Sequence, residues 1–342
     1  MKKNIVFSLL LFLFITACAA PANTANIENT AAPTRPVQFT PIPTLTAKVQ
    51  TATQPTLTPP AMPVGQLNEI KFKANGTYID ITDTIALGAN KTYSINAMKG
   101  QIMSISILPQ IPEGGWGYIP MQIQGADGSM LCPLVPDSEC MFWRGALPAS
   151  QDYFVTLTPN GDVPQFTMRV AVNPPGKKSQ DFQYSNPQTG LSLTYPDSFV
   201  PALPVVGNYK ISPELTLHYI DSQSYDKTNL SEVYLFVSSA SDAQVVGTCT
   251  DPNLNGGGPE QLIGNEVVNG FDFVHSTAEG AGAGNYYQQE VYRMVNKNIC
   301  YEVIYFIHYT NIGNYTPGTV TEYDSNAILQ SLRDIFDTFN IK

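Results

Sequence analysis

Five cysteines and three histidines are the residues of this 342-residue chain with the widest chemical scope. A zinc site draws on Cys and His at short, recurrent spacings. His218, His275 and His308 stand far apart, each inside a segment that reads as a strand, so no metal and no cofactor is expected. Gly280-Ala281-Gly282-Ala283-Gly284 follows a strand but runs into Asn285-Tyr286-Tyr287-Gln288, which also reads as a strand. A dinucleotide fingerprint needs a different glycine spacing and a helix there, so this is a hairpin loop. Gly256-Gly257-Gly258-Pro259 lacks the Lys-Ser/Thr of a phosphate loop. No Gly-x-Ser-x-Gly elbow presents a nucleophile. No catalytic residue is assigned. Asp221, Asp226, Glu232, Glu279 and Glu290 remain available as paired carboxylates, whose separation only the fold can set.

The aromatic residues offer binding rather than chemistry. Trp116, Tyr118, Phe142 and Trp143 fall in loops or strand ends around the segment 132–140. Trp116, Tyr118 and Trp143 are the candidates for holding a ligand, because an exposed Trp or Tyr presents a flat apolar face with one polar group. Filling a core is the competing use of such side chains.

Cys132 and Cys140 lie in one region of the chain, and Cys249 with Cys300 in another. Four cysteines permit three connectivities. The domain boundaries drawn below select Cys132–Cys140 and Cys249–Cys300, as befits an oxidising compartment.

The first residues agree with export. Lys2 and Lys3 precede an apolar run from Ile5 to Ala17, which is thirteen residues long. A membrane-spanning helix needs roughly 20 residues, so the run reads as a signal-peptide core. Ile15-Thr16-Ala17-Cys18 resembles the lipobox of bacterial lipoproteins. That resemblance implies a signal peptide at 1–17 and acylation, palmitate included, of Cys18. The membrane partner is then lipid on Cys18, at the outer face of a plasma membrane or in an outer membrane. Residues 18–65 are rich in Pro, Thr, Ala and Gln without any period. They read as a disordered stalk biased to polyproline II.

The net charge of −10 becomes two units more negative once Lys2 and Lys3 are removed. Nucleic acid is excluded as a partner, since its binding relies on clustered Lys and Arg. The acids concentrate towards the end: residues 176–342 carry eighteen against eight bases, where 66–175 carry nine against six.

From Gln66 the pattern becomes short alternating strands: Thr77–Thr82, Thr92–Asn96, Gln101–Leu108, Ile119–Gln124, Asp152–Thr158 and Gln165–Val172. In the third of these Met103, Ile105 and Ile107 share one face and Ser104 and Ser106 the other. This predicts an all-β sandwich over 66–173. Thr92 to Gln101, with Leu147-Pro148-Ala149-Ser150-Gln151-Asp152-Tyr153, resembles the prepeptidase C-terminal type of β-sandwich, although Gln151-Asp152 stands where that family has glycine. The resemblance implies an accessory module that binds glycans or proteins.

Residues 174–180 read as a linker. Beyond it the pattern predicts a hairpin of Phe182–Tyr184 and Leu191–Tyr195, then strands at Leu215–Ile220, Glu232–Ser238, Glu266–Ser276, Tyr286–Met294 and Ile299–Tyr309. The last is apolar on both faces, as a covered central strand is. Ile328, Leu329, Leu332, Ile335, Phe336 and Phe339 then form one helical stripe, with Asp324 or Ser325 placed to cap it. An α+β domain over 181–342 with a C-terminal helix follows. The motifs Gly190–Pro196 and Val268–Phe273, the long strand and the closing helix resemble the PsbP/Mog1-like fold, which implies a binding or assembly accessory. The expected protein is a lipid-anchored surface module for envelope glycan, polymer or protein. The alternatives are an extracellular hydrolase with a carboxylate-based site in the C-terminal domain, and a structural spacer.

Overall fold

The computed structural model describes residues 67–342 apart from 113–114, 133–139, 178, 204–209, 253 and 256–259. The expected signal peptide, Cys18 and the whole expected stalk lie outside the described residues. The described residues all belong to one compact unit. Among the described residues no helix is long and apolar enough to cross a membrane.

The first half is a sandwich of short strands: β1 (Leu67–Glu69), β2 (Tyr78–Thr84), β3 (Lys91–Ala97), β4 (Ile102–Gln110), β5 (Gly117–Tyr118), β6 (Met121–Gly125), β7 (Met130–Cys132), β8 (Phe142–Ala146), β9 (Gln151–Leu157), β10 (Asn160–Gly161) and β11 (Gln165–Asn173). One sheet runs β1-β3-β9-β6-β7, the other β2-β11-β4-β8, and β5 with β10 makes a separate ribbon. Inward residues alternate along each strand, so Ile95, Ile105, Tyr153, Val155, Phe166 and Met168 are fully buried between the sheets. The six expected strands are all present within a few residues of their expected ends. Strand β8 was not expected. Its Trp143 points inward and is 9% exposed.

Ser104 and Ser106, on the face opposite Met103, Ile105 and Ile107, are buried as well. The cause is the second half of the chain, which packs on the outer face of β2, β4, β8 and β11. Arg169 on β11 lies 4.3 Å from the ring of Phe182, and Tyr78 meets the same ring edge-on at 4.9 Å. Ala171 on β11 is counted in the second domain's core. The expected linker 174–180 therefore joins domains that are docked, with Thr77 hydrogen-bonded to Gln180.

The second half begins with β12 (Asp181–Ser185), β13 (Leu191–Pro196), β14 (Phe199–Pro201) and β15 (Pro213–Tyr219), followed by α1 (Ser222–Asp226) and β16 (Leu230–Ala240). It continues with α2 (Ala243–Gly247), β17 (Gln261–Val268), β18 (Phe271–Gly282), β19 (Asn285–Asn296), β20 (Ile299–Thr310), α3 (Ser325–Phe336) and β21 (Asn340–Ile341). Seven strands form an antiparallel sheet in the order β14-β15-β16-β20-β19-β18-β17. The single strand expected at Glu266–Ser276 is two, because Asn269 and Gly270 both take positive φ, 48° and 85°, and turn the chain back. That is the backbone a two-residue hairpin demands. The glycine-rich segment, expected to be a hairpin loop, continues β18 through Gly282, and only Ala283-Gly284 make the turn.

Helix α3 covers one face of the sheet. Asp324 accepts a hydrogen bond from the Ala327 amide at 3.0 Å and starts it. Ile328, Leu332, Ile335 and Phe336 bury against Phe273, Tyr292, Val303 and Tyr305. Phe339 belongs to the same stripe but lies past the helix, also buried. The last residues close the domain: β21 pairs with β13 through Leu191–Ile341 and Ser192–Asn340. The two disulfides are Cys132–Cys140 and Cys249–Cys300, as the domain boundaries required.

Candidate ligand-binding site

The ribbon of β5 and β10 owes its shape to two glycines. Gly117 and Gly161 are register partners. A Cβ on Gly117 would stand 2.5 Å from Val163 Cγ2, and one on Gly161, whose φ is +83°, would stand 2.5 Å from the Trp116 carbonyl oxygen. Only glycine permits so close an approach. The Asp162 amide donates to that same carbonyl at 2.8 Å. Trp116 is thus held at the backbone, its ring edge beside Gly161, while 65% of the residue stays exposed.

Two concavities flank the ribbon. On the Gly161 side an open groove of about 570 Å3 runs between Thr84–Leu87 and Gly161–Pro164. Leu87 is exposed at its lip. Thr84 and Asp162 are the residues of its lining that carry polar side chains. On the Gly117 side a smaller cavity of about 180 Å3 opens between the domains. The sandwich contributes Ser106, Pro109, Tyr118 and Phe142 to it, and the second domain contributes Val200–Leu203, His218 and Tyr234.

His218 is one of the polar residues of that lining. Its ring stacks on Tyr234 at 4.4 Å and meets Phe142 edge-on at 4.3 Å. Burial pushes its pKa down to about 3, so the imidazole is neutral at any ordinary pH. Its Nε2 is buried without a hydrogen-bond partner. The Tyr234 phenol is pushed up to about 12, first by burial and then by Glu232.

The three histidines are not brought together. His275 Nε2 lies 2.7 Å from Glu290 and its Nδ1 3.5 Å from Glu266, which is also bound by Arg333. His308 bridges Glu232 and Asn285, at 3.0 Å each, and stacks on Tyr287. Among the described residues no group of three or more His, Cys, Asp or Glu is arranged to hold a metal ion. The five candidate carboxylates scatter too: Asp221 faces Arg144 at 3.6 Å, Glu232 and Glu290 are taken by histidines, and Asp226 and Glu279 are exposed elsewhere.

Of the three aromatic candidates, Tyr118 is on β5 and lines the cavity, while Trp116 immediately precedes that strand with its ring edge beside Gly161, a residue of the groove. Trp143 does not join them. It fills the sandwich core, where Gly145 leaves space for its ring: a Cβ there would stand 2.8 Å from it. In the sequence His218 stands out only as a metal ligand, and no pattern there points to Tyr234. They lie on register-paired positions of β15 and β16, facing away from α3, and only the docking of the sandwich makes that face a pocket wall.

No family model matches the chain, and no curated protein sequence matches it. Solved structures do show likenesses in part. The periplasmic lysozyme inhibitor of g-type lysozyme, PliG, from Aeromonas hydrophila is 19% identical, with a TM-score of 0.25, over 31% of this chain and 96% of that one. The Salmonella Typhimurium PliG is 16% identical, with a TM-score of 0.24, over 32% and 99%. A Bacteroides thetaiotaomicron protein is 12% identical, with a TM-score of 0.28, over 47% and 48%.

Proposed function

We propose that this chain is a lipid-anchored, extracytoplasmic binding protein that holds glycan in the groove beside Trp116. The observation that carries the reading is an indole 65% exposed, its backbone carbonyl held by the Asp162 amide and its ring edge beside Gly161, which lines an open groove together with Thr84 and Asp162. A sugar ring stacks its apolar face on such an indole and spends its hydroxyls on neighbouring polar groups. The site lies on loops that a rigid sandwich positions, where binding residues concentrate. Two disulfides within the compact unit support an oxidising compartment. The lipobox-like Ile15–Cys18 supports the anchor.

The test is a glycan-array and polysaccharide pull-down screen with residues 57–342, the compact unit. Retention on a defined glycan should fall at least tenfold in Trp116→Ala, with the unfolding midpoint unchanged. Retention that survives the substitution, or a blank array, overturns the reading. The anchor has its own test. Mass spectrometry of the N-terminal peptide should find acyl chains on Cys18, and Cys18→Ser should release the protein from membranes.

A further inference from the structure

We infer that strand β17 is an interface through which two copies of this chain pair edge to edge, antiparallel about a two-fold axis. The sheet of the second domain ends at β17, and among the described residues its one strand neighbour is β18. Every other residue of such an edge strand turns its N–H and C=O away from the sheet. Among the described residues no group beyond β18 hydrogen-bonds to the β17 backbone. What completes an edge of this kind is another strand.

Protein sheets blunt their edges with short strands, charge, proline or a covering element. The other sheet edges among the described residues follow that rule. Strands β1, β5, β7, β10, β14 and β21 are two or three residues long, and β14 ends in Pro201. Asp80 and Asp83 lie on β2 and Asp181 on β12, while β8 lies against the second domain. Strand β17 differs. It is eight residues long without Lys, Arg or Pro, and its Leu262, Ile263 and Val267 are 62%, 60% and 62% exposed. A bulge at Ile263 is its one irregularity, and the ladder from Gly264 to Val268 is regular.

Two features select a second copy as the occupant. The first is charge. Residues 176–342 carry eighteen acids against eight bases, and a basic partner would seek such acids. The single acid of β17, Glu266, is already held by Arg333 and His275. Two acidic chains can therefore meet at this neutral edge with little of the repulsion their net charge imposes elsewhere. The second feature is pattern. Leu262 and Ile263 stand at one end of β17 and Val267 at the other, with Asn265 and Glu266 between. Antiparallel pairing lays the first end of one copy on the last end of its partner, so apolar meets apolar and the polar middle meets itself. An isologous two-fold contact requires that self-complementarity. Because the opposite edge of the sheet, β14, is short and ends in proline, pairing closes at two copies.

The interface does not depend on the glycan reading, and the two can fail independently. The test uses the processed chain, residues 18–342, carrying Cys18→Ser so that no lipid drives association. Sedimentation equilibrium should show monomer and dimer, with a Kd of roughly 1–100 µM as befits a small interface, and no larger species. Hydrogen exchange in concentrated solution should protect amides of residues 261–268 that exchange freely in dilute solution. Val267→Lys and Leu262→Lys, both at exposed positions, should each weaken dimerisation at least tenfold with the unfolding midpoint unchanged. Met98→Lys, at an exposed position of the sandwich, should leave dimerisation unaltered. A chain that is still monomeric at about 1 mM overturns the inference and leaves the edge to a foreign strand. So does a dimer that survives the two lysine substitutions together, or one whose β17 amides stay unprotected.

Discussion

Arg144 in the sandwich donates through Nε and Nη2, at 3.3 and 3.2 Å, to Asp197 in the second domain, whose side chain is fully buried. Asn173 Nδ2 donates to the other carboxylate oxygen at 2.6 Å. The domains are thus clasped by a desolvated ion pair that a third residue completes, and the clasp sits on the same interface as the His218 cavity.

Removing one partner of a buried pair strands the other charge, which costs about 3 kcal/mol or more. Arg144→Met should lower stability by that order. It should also split a single urea transition into two as the domains unfold apart. Arg144→Met with Asp197→Leu should recover much of the loss. A single unshifted transition in Arg144→Met would show that the pair does not couple the domains.

His218 makes stability depend on acid. The unfolded chain protonates the imidazole near pH 6.5, while the folded chain does so only at about 3. The contribution is whole above about pH 6.5 and is lost as pH falls towards 3, by up to about 1.4 kcal/mol per pH unit. Glu214 and Glu302, whose carboxyls burial pushes up, act in the opposite sense over their own range. The readout is therefore the difference between wild type and His218→Phe, in which wild type should lose stability relative to the variant steadily from pH 6.5 to pH 4.

Gly161→Ala puts a methyl group against the Trp116 carbonyl at a φ reserved for glycine. The ribbon must shift, at a cost of about 1–3 kcal/mol, and the indole moves with it. Glycan retention should fall as it does in Trp116→Ala, although the indole is still present. Undiminished retention would mean that the placement of the ring is immaterial.

The two disulfides should differ in worth. In the loop-entropy account Cys249–Cys300, at a separation of 51, contributes about 4 kcal/mol, and Cys132–Cys140, at a separation of 8, about 2.5. Paired Cys→Ser variants compared by chemical denaturation should rank in that order.

The alternation of Met103, Ile105 and Ile107, and the stripe from Ile328 to Phe339, made the two layers legible because one-sided burial leaves a period in the sequence. Where burial has two causes the period misleads. Ser104 and Ser106 look like solvent-facing residues and are covered by a domain that begins some eighty residues later. Phe142-Trp143-Arg144 showed no strand pattern because its outward residues, Phe142 and Arg144, serve the interface while Trp143 serves the core. The Glu266–Ser276 run hid a turn because Asn269-Gly270 is flanked by apolar residues on both sides. Trp116 could be nominated from its type. Its exposure depends on Gly161, some forty-five positions away, and no local pattern contains that.

The pairing of Ser192 with Asn340 has a consequence for how the chain comes to be folded. The strand that opens the second domain cannot find its final neighbour until nearly the whole of that domain is in hand. A chain made from its N-terminus keeps this seam open until residues 340–341 emerge, and a contact so distant in sequence is slow to close. Such a topology makes residues 340–341 the latch of the structure.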